Sequence, residues 1–245
     1  MNQGIFTILE NMPLAENVMR MRLGGDVSAI RTPGQFINLR LDGYFLRRPI
    51  SVHDVDEQSV TIIYKVLGHG TEDMRRMAPG TELDVLTGLG NGFDISCAGD
   101  APLLIGGGVG TPPMYWLAKE LLAAGKQVTA VLGFNRREDV FCEEEFRALG
   151  VNTIVATADG SYGVRGFVTD AMAELEYSYF YCCGPEPMLK AVWKTSKTSG
   201  QLSFEERMGC GFGACMGCTC KTLTGHKRIC KEGPVLRKEE IAWDD

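Results

Sequence analysis

The sequence predicts an α+β protein of several domains. Its parts are an N-terminal antiparallel β-barrel over residues 1–97, a central α/β domain with a parallel sheet over residues 98–200, and a small cysteine-rich segment over residues 201–245. Short β-like runs fill the first part, strands alternate with helices in the second, and cysteine and glycine crowd the third. The third part is too small for a core of its own and needs a metal site to order it.

Regularly spaced strands predict the barrel. Apolar and β-branched runs are separated by Gly, Pro, Asp and Asn, a pattern typical of antiparallel all-β units. The runs read GIFTILE, NVMRMRL, QFINLRL, PISVHDV and SVTIIYKVLG. One short helix is predicted in GTEDMRRMAPG, where Met74 and Met77 lie three residues apart and Pro79-Gly80 marks the turn behind them.

The pattern of the chain changes after about Cys97. Continuous apolar strands now alternate with helix-like segments, which predicts a parallel sheet covered by helices. The series reads APLLIGGG, TPPMYWLAKELLAAG, QVTAVLGF, EEEFRALG, VNTIVAT, GFVTDAMAELE, YSYFYCCG and PEPMLKAVWKTSK. We expect Cys97, Cys142 and Cys182 to be small core residues, since free cysteine is commonly buried.

Composition argues against two classes of partner. The net charge is −6 and Lys and Arg do not cluster, which argues against nucleic acid. No stretch reaches the roughly 20 apolar residues that span a bilayer. The N-terminus shows no basic start followed by an apolar block. We therefore expect a cytoplasmic protein that does not enter a membrane.

Nine cysteines, four of them within eleven positions, indicate metal ligation rather than a disulfide scaffold. The spacing C-x4-C-x2-C-x11-C selects Cys210, Cys215, Cys218 and Cys230, and its first part matches the loop of a plant-type [2Fe–2S] cluster. Interleaved glycines let the backbone fold tightly and direct N–H groups at sulfur. Structural zinc is the alternative, although zinc ligands usually come as two separated pairs. Cys220 could compete as a ligand, but Cys230 supplies the distant closing one, and we expect Cys220 to be a buried neighbour.

A flavin site is indicated between two of the predicted strands. In Arg48-Pro49-Ile50-Ser51, the Arg can pair with a diphosphate, and a Pro-fixed backbone followed by a Ser hydroxyl can hold a flavin edge. Alone the motif is weak, because a solvated Arg beside a Ser is common. Ile63-Tyr64-Lys65 on the next strand and Gly68-His69-Gly70-Thr71 at a helix start strengthen it, since a helix N-terminus preceded by glycine can bind an anion.

Two strand-to-helix crossings predict one dinucleotide cleft. Residues 106–113 read GGGVGTPP, where glycines permit close approach of a pyrophosphate and the helix dipole favours it. A second crossing follows at the end of YSYFYCC, and both lie at the carboxyl edge of the predicted sheet, where α/β proteins bind ligands. A plain tight turn is the alternative, because the motif is not G-x-G-x-x-G. The residues assigned to this cleft are Gly107, Gly108, Gly110, Thr111, Pro112, Cys183 and Gly184.

Taken in order, the motifs resemble a known family. RRPIS, IYK, GHGT, GNGFD, LLIGGGVGTPP, DGSYGVRG, CCGPEPM and ERMGCGFGACMGC through CKEGPV are similar to the electron-transfer subunit of type B dihydroorotate dehydrogenases. The match runs from about residue 5 to the tail. The central motifs are shared across the ferredoxin reductase-like superfamily, whereas the C-terminal cysteine segment is much more particular.

The resemblance implies an oxidoreductase subunit with FAD held by residues 48–51, 63–65 and 70–71, and a [2Fe–2S] cluster on the four cysteines named above. It implies that a separate FMN-containing subunit oxidises dihydroorotate, and that electrons pass through the cluster and FAD to NAD⁺ in pyrimidine (UMP) biosynthesis. It also implies a heterotetramer with two subunits of each kind. No residue of this chain is expected to catalyse dihydroorotate oxidation.

Several placements and alternatives stay open. We expect the cluster to face the partner and nicotinamide to lie near Thr111 and Cys183. Arg136 or Arg137 could accept the 2′-phosphate of NADP, but NAD is what the resemblance implies.

The alternative functions are a small flavin subunit of a ferredoxin-dependent transhydrogenase, hydrogenase or sulfide dehydrogenase, a freestanding NAD(P)H:ferredoxin reductase, and a zinc-stabilised binding protein.

Overall fold

A computed structural model describes residues 1–243, and it begins with a closed antiparallel barrel of six strands. The barrel strands are β1 (Asn2–Ala15), β2 (Val18–Gly24), β3 (Phe36–Leu39), β4 (Arg48–Val55), β5 (Ser59–Lys65) and β6 (Glu82–Leu89). They close in the order β1-β2-β5-β4-β3-β6. One helix, α1 (His69–Arg76), connects β5 to β6. The predicted barrel and its helix are therefore confirmed.

Side chains on the barrel strands alternate between the barrel core and the surface that contacts the next domain. On β5, Ile62 and Tyr64 point inward and pack with Met21 and Val52 in the barrel core. Ile63 points outward and joins the apolar core of the next domain. Because successive strand residues face opposite sides, one strand can contribute side chains both to the barrel core and to the interface with the next domain.

The second part is a mostly parallel sheet with helices, as the sequence predicts. Its elements are β7 (Pro102–Gly107), α2 (Pro112–Ala123), β8 (Thr129–Phe134), α3 (Glu143–Ala148), β9 (Asn152–Thr157), β10 (Val164–Arg165), α4 (Val168–Met172), β11 (Tyr179–Cys183), α5 (Glu186–Thr195) and β12 (Gly200–Ser203). Strands β10-β9-β8-β7-β11-β12 pair in parallel in that order. Parallel pairing brings the carboxyl ends of β7, β8 and β11 to one edge.

The cysteine-rich segment returns to this sheet. It contributes a hairpin of β13 (Thr219–Thr222) and β14 (Gly225–Arg228), and a last strand, β15 (Val235–Arg237). Strand β15 pairs antiparallel with β12 and becomes the seventh strand of the sheet. The predicted boundary between residues 200 and 201 falls within β12, so the sheet continues past it. Residues 244 and 245 of the predicted segment lie outside the described residues.

Polar contacts join the three parts. Lys119 Nζ on α2 lies 2.7 Å from Asp54 Oδ1 on β4. Asn91, after the barrel, donates to the carbonyl oxygen of Val235 at 2.7 Å and accepts from the Val235 N–H at 3.1 Å. These contacts therefore hold the barrel against the nucleotide domain and the cysteine-rich segment against the end of the barrel.

The three cysteines expected in the core differ in burial. Cys142 and Cys182 are buried, whereas Cys97 is only half-buried. Cys97 closes a one-turn helix, and its thiol lies 3.6 Å from Asp94 Oδ2 at the edge of the domain. Among residues 1–243, no helix is both long and apolar enough to cross a membrane.

Candidate functional site

The four predicted cysteine ligands lie in two pairs. The Cys210 N–H lies 3.4 Å from Cys215 Sγ, and the Cys215 N–H lies 3.4 Å from Cys210 Sγ. The Cys230 N–H lies 3.4 Å from Cys218 Sγ. Four cysteines hold a [2Fe–2S] cluster, two at each iron, so two thiol pairs fit such a cluster.

Backbone N–H groups surround the first thiol pair. The Ala214 N–H lies 3.2 Å from Cys210 Sγ. Although burial acts to raise the pKa of the Cys210 thiol, backbone hydrogen bonds from Cys215 and Phe212 outweigh it and lower the pKa to about 6. Clusters bind the thiolate form, so a loop that stabilises thiolate suits a cluster.

Cys220 takes part in neither of these two pairs. It is on β13, opposite Lys227 of β14. Its side chain is half-buried against the apolar cluster behind the cysteine loop, and burial raises the pKa of its thiol. The position suits the buried neighbour that the sequence predicts rather than a fifth ligand.

Arg48 and Gly70 bring two of the predicted flavin motifs together. Arg48 begins β4 and Gly70 lies in the first turn of α1. A Cβ atom on Gly70 would lie 2.5 Å from Arg48 Nε, so the guanidinium reaches the helix only because this residue is glycine. The guanidinium also lies 4.7 Å from the centre of the Tyr44 ring. A cation beside a helix N-terminus forms a site that suits a diphosphate.

The rest of residues 48–51 divide between two faces of β4. Ile50 packs against the barrel core. Pro49 and Ser51 pair across the strands with Asn38 and Phe36. Phe36 packs with the apolar cluster outside the barrel, so this face of β4 also points outward. Pro49 and Ser51 are thus residues of β4 whose side chains point out of the barrel.

The side chains of the other residues predicted to bind the flavin differ in burial and contacts. Tyr64 is 1% exposed, and its hydroxyl donates to Asn11 Oδ1 at 3.2 Å inside the barrel. Ile63 is buried against the next domain, whereas Lys65 is exposed and lines the nucleotide cavity. Thr71 Oγ1 accepts from the Leu67 N–H at 2.9 Å and so caps its own helix. The Tyr64 and Thr71 side chains are therefore already engaged within the protein.

One cavity of about 880 Å³ lies along the carboxyl edge of the sheet. Four predicted nucleotide residues line it, namely Gly107, Gly108, Gly110 and Gly184. The two crossings touch, since a Cβ atom on Gly110 would lie 2.2 Å from the carbonyl oxygen of Cys183. Ligand pockets typically measure roughly 300–1,000 Å³, so this cavity has room for a large part of a dinucleotide.

Thr111, Pro112 and Cys183 lie behind the cavity wall rather than on it. Thr111 is fully buried, and its Oγ1 has no hydrogen-bond partner among residues 1–243. Cys183 is 3% exposed, and burial raises the pKa of its thiol to about 12. The carbonyl oxygen of Pro112 accepts from His53 Nδ1 at 3.0 Å. Thr111, Pro112 and Cys183 therefore pack behind the residues that line the cavity.

Two carboxylates in the cavity have no signal in the sequence. Glu205 follows β12; its side chain is open to the cleft yet surrounded by protein, and this burial raises the pKa of its carboxyl group. Glu16 lies in the turn between β1 and β2 and pairs with Arg136 after β8. Neither residue belongs to a motif, because the cavity that gives them a role exists only once the barrel and the sheet pack together.

A second polar cluster joins the barrel to the nucleotide domain. His53 Nε2 lies 3.4 Å from Glu145 Oε2, and Arg20 pairs with the same carboxylate. The ligand atoms of His53, Cys142 and Glu145 lie within 4.8 Å of one another, as in a metal site. Burial raises the pKa of the Cys142 thiol to about 12, and the Arg20 guanidinium supplies the positive charge. The cluster therefore fits an ion pair between domains better than a metal centre.

The barrel, the nucleotide sheet and the paired cysteines together define an iron–sulfur flavoprotein of the ferredoxin reductase type. Residues 104–194 match the model of the oxidoreductase NAD-binding domain, and residues 205–242 match that of the iron–sulfur cluster binding domain of dihydroorotate dehydrogenase B. The electron transfer subunit of dihydroorotate dehydrogenase B (NAD⁺) from Fusobacterium nucleatum is 42% identical, over 96% of both chains. That of Bacillus pumilus is 42% identical, over 99% of both chains. The chain belongs to this family of electron transfer subunits.

Solved structures agree with this assignment. A structure of NADH-dependent reduced ferredoxin-NADP oxidoreductase, which addresses flavin-based electron bifurcation, matches with a TM-score of 0.89 and 30% identity, over 98% of this chain and 91% of that chain. The FAD/NAD binding domain of nitric oxide dioxygenase from Vibrio cholerae matches with a TM-score of 0.68 and 22% identity, over 82% and 99%, and so shares the fold. The predicted family, fold and cofactor classes are confirmed, whereas the individual ligand residues stay predictions.

Proposed function

We propose that this chain passes electrons from a dihydroorotate-oxidising partner to NAD⁺, with FAD and a [2Fe–2S] cluster as its resident groups. The observation that carries the proposal is that three features occur together in one chain. They are the paired cysteines, an arginine beside a helix N-terminus and a large cavity at a sheet edge. When bound, a flavin couples the two-electron hydride chemistry of nicotinamide to the one-electron chemistry of an iron–sulfur cluster.

Each resident group has a proposed set of residues. Arg48 and the first turn of α1 bind the FAD diphosphate, while Pro49 and Ser51 face the flavin. The backbone of residues 63–65 extends this flavin-binding surface. Ile50 packs behind the surface, against the barrel core. We assign the flavin to residues 1–97, the dinucleotide to residues 98–200 and the cluster to residues 201–245.

The cluster and the dinucleotide take the remaining residues. Cys210 with Cys215, and Cys218 with Cys230, ligate the two irons. The glycines of the two crossings allow the NAD pyrophosphate to approach the backbone, and Thr111, Pro112 and Cys183 fix that backbone from behind.

The source of the electrons is a separate catalytic subunit. The relatives are named as electron transfer subunits, which implies a partner that carries out the dehydrogenation. We infer that this partner carries FMN, that two subunits of each kind form a heterotetramer, and that the complex works in the cytoplasm. Phe212 and Met216 are 42% and 55% exposed beside the exposed Cys215, and a docked subunit would cover this apolar surface next to the cluster.

The test is an anaerobic pull-down of the tagged chain from its native cell, followed by an assay of NAD⁺ reduction with dihydroorotate. We expect activity that disappears when the partner is stripped, FMN only in the partner, and a mass that gives two subunits of each kind. A colourless chain that contains zinc would contradict the proposed cofactors.

A second candidate function has the same cofactors and a different partner. The likeness to the NADH-dependent reduced ferredoxin-NADP oxidoreductase, at 30% identity, favours a transhydrogenase-type complex. The same pull-down separates the two functions. A coloured complex that NADH reduces, but that does not oxidise dihydroorotate, would assign the chain to this second class.

A further inference from the structure

Asn38 lies between the proposed flavin strand and the cysteine loop. It sits on β3 and pairs across the barrel with Pro49 of β4. Its neighbours Ile37 and Leu39 pack in the barrel core, so the Asn38 side chain points outward, to the same side as Pro49. Its Nδ2 donates to the carbonyl oxygen of Cys210 at 3.4 Å. This one amide therefore connects the two regions.

The cysteine loop packs closely against this amide. A Cβ atom on Gly211 would lie 2.3 Å from Asn38 Nδ2, which leaves no space for a side chain. Gly211 also has a φ of 79°, in the region that favours glycine. The turn that follows Cys210 is thus shaped to the Asn38 side chain.

Stability alone does not explain an asparagine at this position. Asn38 is 1% exposed, and its Oδ1 has no hydrogen-bond partner among residues 1–243. A buried polar atom without a partner is unfavourable, and an apolar side chain of similar volume would avoid that cost. The role of Asn38 therefore lies in the site that it contacts.

We propose that Asn38 is a positioning residue that holds the Cys210 turn against the flavin strand and tunes the iron–sulfur centre. The contact fixes the turn whose N–H groups point at Cys210 Sγ. Hydrogen bonds to cluster sulfurs favour the reduced, more negative form and so raise the reduction potential. The inference rests on the proposed cluster site, but not on which partner supplies the electrons.

The experiment uses the full chain with its FAD and cluster, and compares Asn38→Leu and Asn38→Ala with the matched control Asn91→Leu. Asn91 anchors the other end of the same segment, through Val235 and Glu232, and does not contact the Cys210 turn. The measurements are a potentiometric titration of the cluster, the EPR spectrum of the reduced protein, and the melting temperature.

We expect both Asn38 variants to be harder to reduce, by about tenfold in the reduction equilibrium, which is about 59 mV for a one-electron couple. Their EPR spectra should change, whereas the melting temperature of Asn38→Leu should equal or exceed that of the wild type. The Asn91→Leu control should melt earlier and keep the wild-type potential. If Asn38→Leu does not retain its cluster, Asn38→Ala, which is smaller and adds no charge, still gives the potential.

Two results would overturn the proposal. One is a wild-type potential and EPR spectrum in both Asn38 variants. The other is an equal shift in potential in Asn91→Leu, which would mean that docking of the whole segment sets the potential. If the complex did not oxidise dihydroorotate, the proposed function would be wrong, but the titration of the cluster could still be carried out. Failure of the proposed function and failure of the role of Asn38 are therefore distinguishable.

Discussion

Arg47 and Arg48 are adjacent residues with different tasks. Arg47 Nη2 lies 2.9 Å from Asp84 Oδ2, and this hydrogen bond holds the pKa of Asp84 below its usual value. Arg47 therefore fastens the start of β4 to β6. Arg48 instead lies against Gly70 at the N-terminus of α1, where it is available to a diphosphate.

We predict that Arg48→Ala weakens FAD binding by about tenfold or more, because charge-assisted hydrogen bonds contribute about 1.5–3 kcal/mol. Its effect on the melting temperature of the FAD-free chain should be small. FAD titration followed by flavin fluorescence measures the affinity. Arg47→Ala is the matched control, and it should lower the melting temperature more than the FAD affinity. The reverse pattern would contradict the assignment of the two arginines.

Cys218 and Cys220 offer an equally close comparison. We predict that Cys218→Ser loses the [2Fe–2S] cluster, because its thiol forms one of the two pairs, with Cys230. Cys220→Ser should keep the cluster, since the Cys220 thiol takes part in neither pair and its side chain is half-buried on β13. Iron and acid-labile sulfide analysis with EPR measures both. A cluster that survives in Cys218→Ser and disappears in Cys220→Ser would reassign the ligand.

For single residues, the sequence indicates where a loop lies but not which way each side chain points. Cysteine spacing selects four thiols that the fold pairs two by two, because short loops place their ligands locally. Motifs select Tyr64 and Cys183, yet the Tyr64 side chain lies inside the barrel and the Cys183 side chain lies behind the residues that line the cavity. A motif marks where the backbone approaches a ligand, but the face that each side chain takes depends on strand register.

Among the elements, the turn between β1 and β2 has a consequence for the choice of dinucleotide. It carries Glu16 from the barrel to Arg136 at the end of β8, and Asp139 lies 3.4 Å from the same guanidinium. Two carboxylates around one guanidinium leave a net negative charge where a 2′-phosphate would bind. The arrangement favours NAD over NADP, although an arginine stands in the sequence at this point.

We predict that Glu16→Gln improves binding of 2′,5′-ADP severalfold and changes binding of 5′-AMP little, because it frees Arg136 to pair with the 2′-phosphate. Isothermal titration calorimetry measures both affinities. Glu10→Gln changes an exposed acid on β1; it is the control and should change neither affinity. An unchanged preference in Glu16→Gln would show that Glu16 does not set the selectivity.

The contact between β4 and α3 predicts a pH dependence. Burial raises the pKa of Glu145, but hydrogen bonds from His53 and Arg20 outweigh it and lower the pKa from 4.5 to about 2. Because the folded pKa lies below the unfolded one, the stabilisation is complete above about pH 4.5 and is lost as the pH falls towards 2.

We predict that Glu145→Gln lowers the free energy of unfolding at pH 7 by about 1–2 kcal/mol, a figure reduced for the partial exposure of the pair. Urea unfolding between pH 7 and pH 3 measures the difference, which should shrink as the pH falls. Glu144→Gln changes the exposed neighbouring acid and should have little effect at any pH. A difference that grows at low pH would contradict this assignment.

The helices and long strands of both domains followed from the pattern of apolar residues, but β15 did not. This strand has three residues and pairs with β12 across a gap of more than thirty residues. So short a strand carries no periodicity, and its pairing is decided by the position of the cysteine-rich segment.

In the whole molecule the cysteine-rich segment is held at several points. Asn38 contacts its first cysteine, Asn91 contacts Val235, and β15 joins the nucleotide sheet. The cluster loop therefore lies against both the flavin barrel and the nucleotide domain. The sequence predicted the three parts and their cofactors, whereas their arrangement depends on contacts between residues far apart in the chain.

This arrangement makes the central claim testable in the intact complex. The claim is that electrons from dihydroorotate reach NAD⁺ only through this chain. The decisive measurement compares the wild-type complex with one that carries Cys218→Ser, using dihydroorotate with either NAD⁺ or a dye that accepts electrons from the partner. We predict that the variant complex still reduces the dye but no longer reduces NAD⁺. Reduction of NAD⁺ at the wild-type rate by a cluster-free complex would contradict the account.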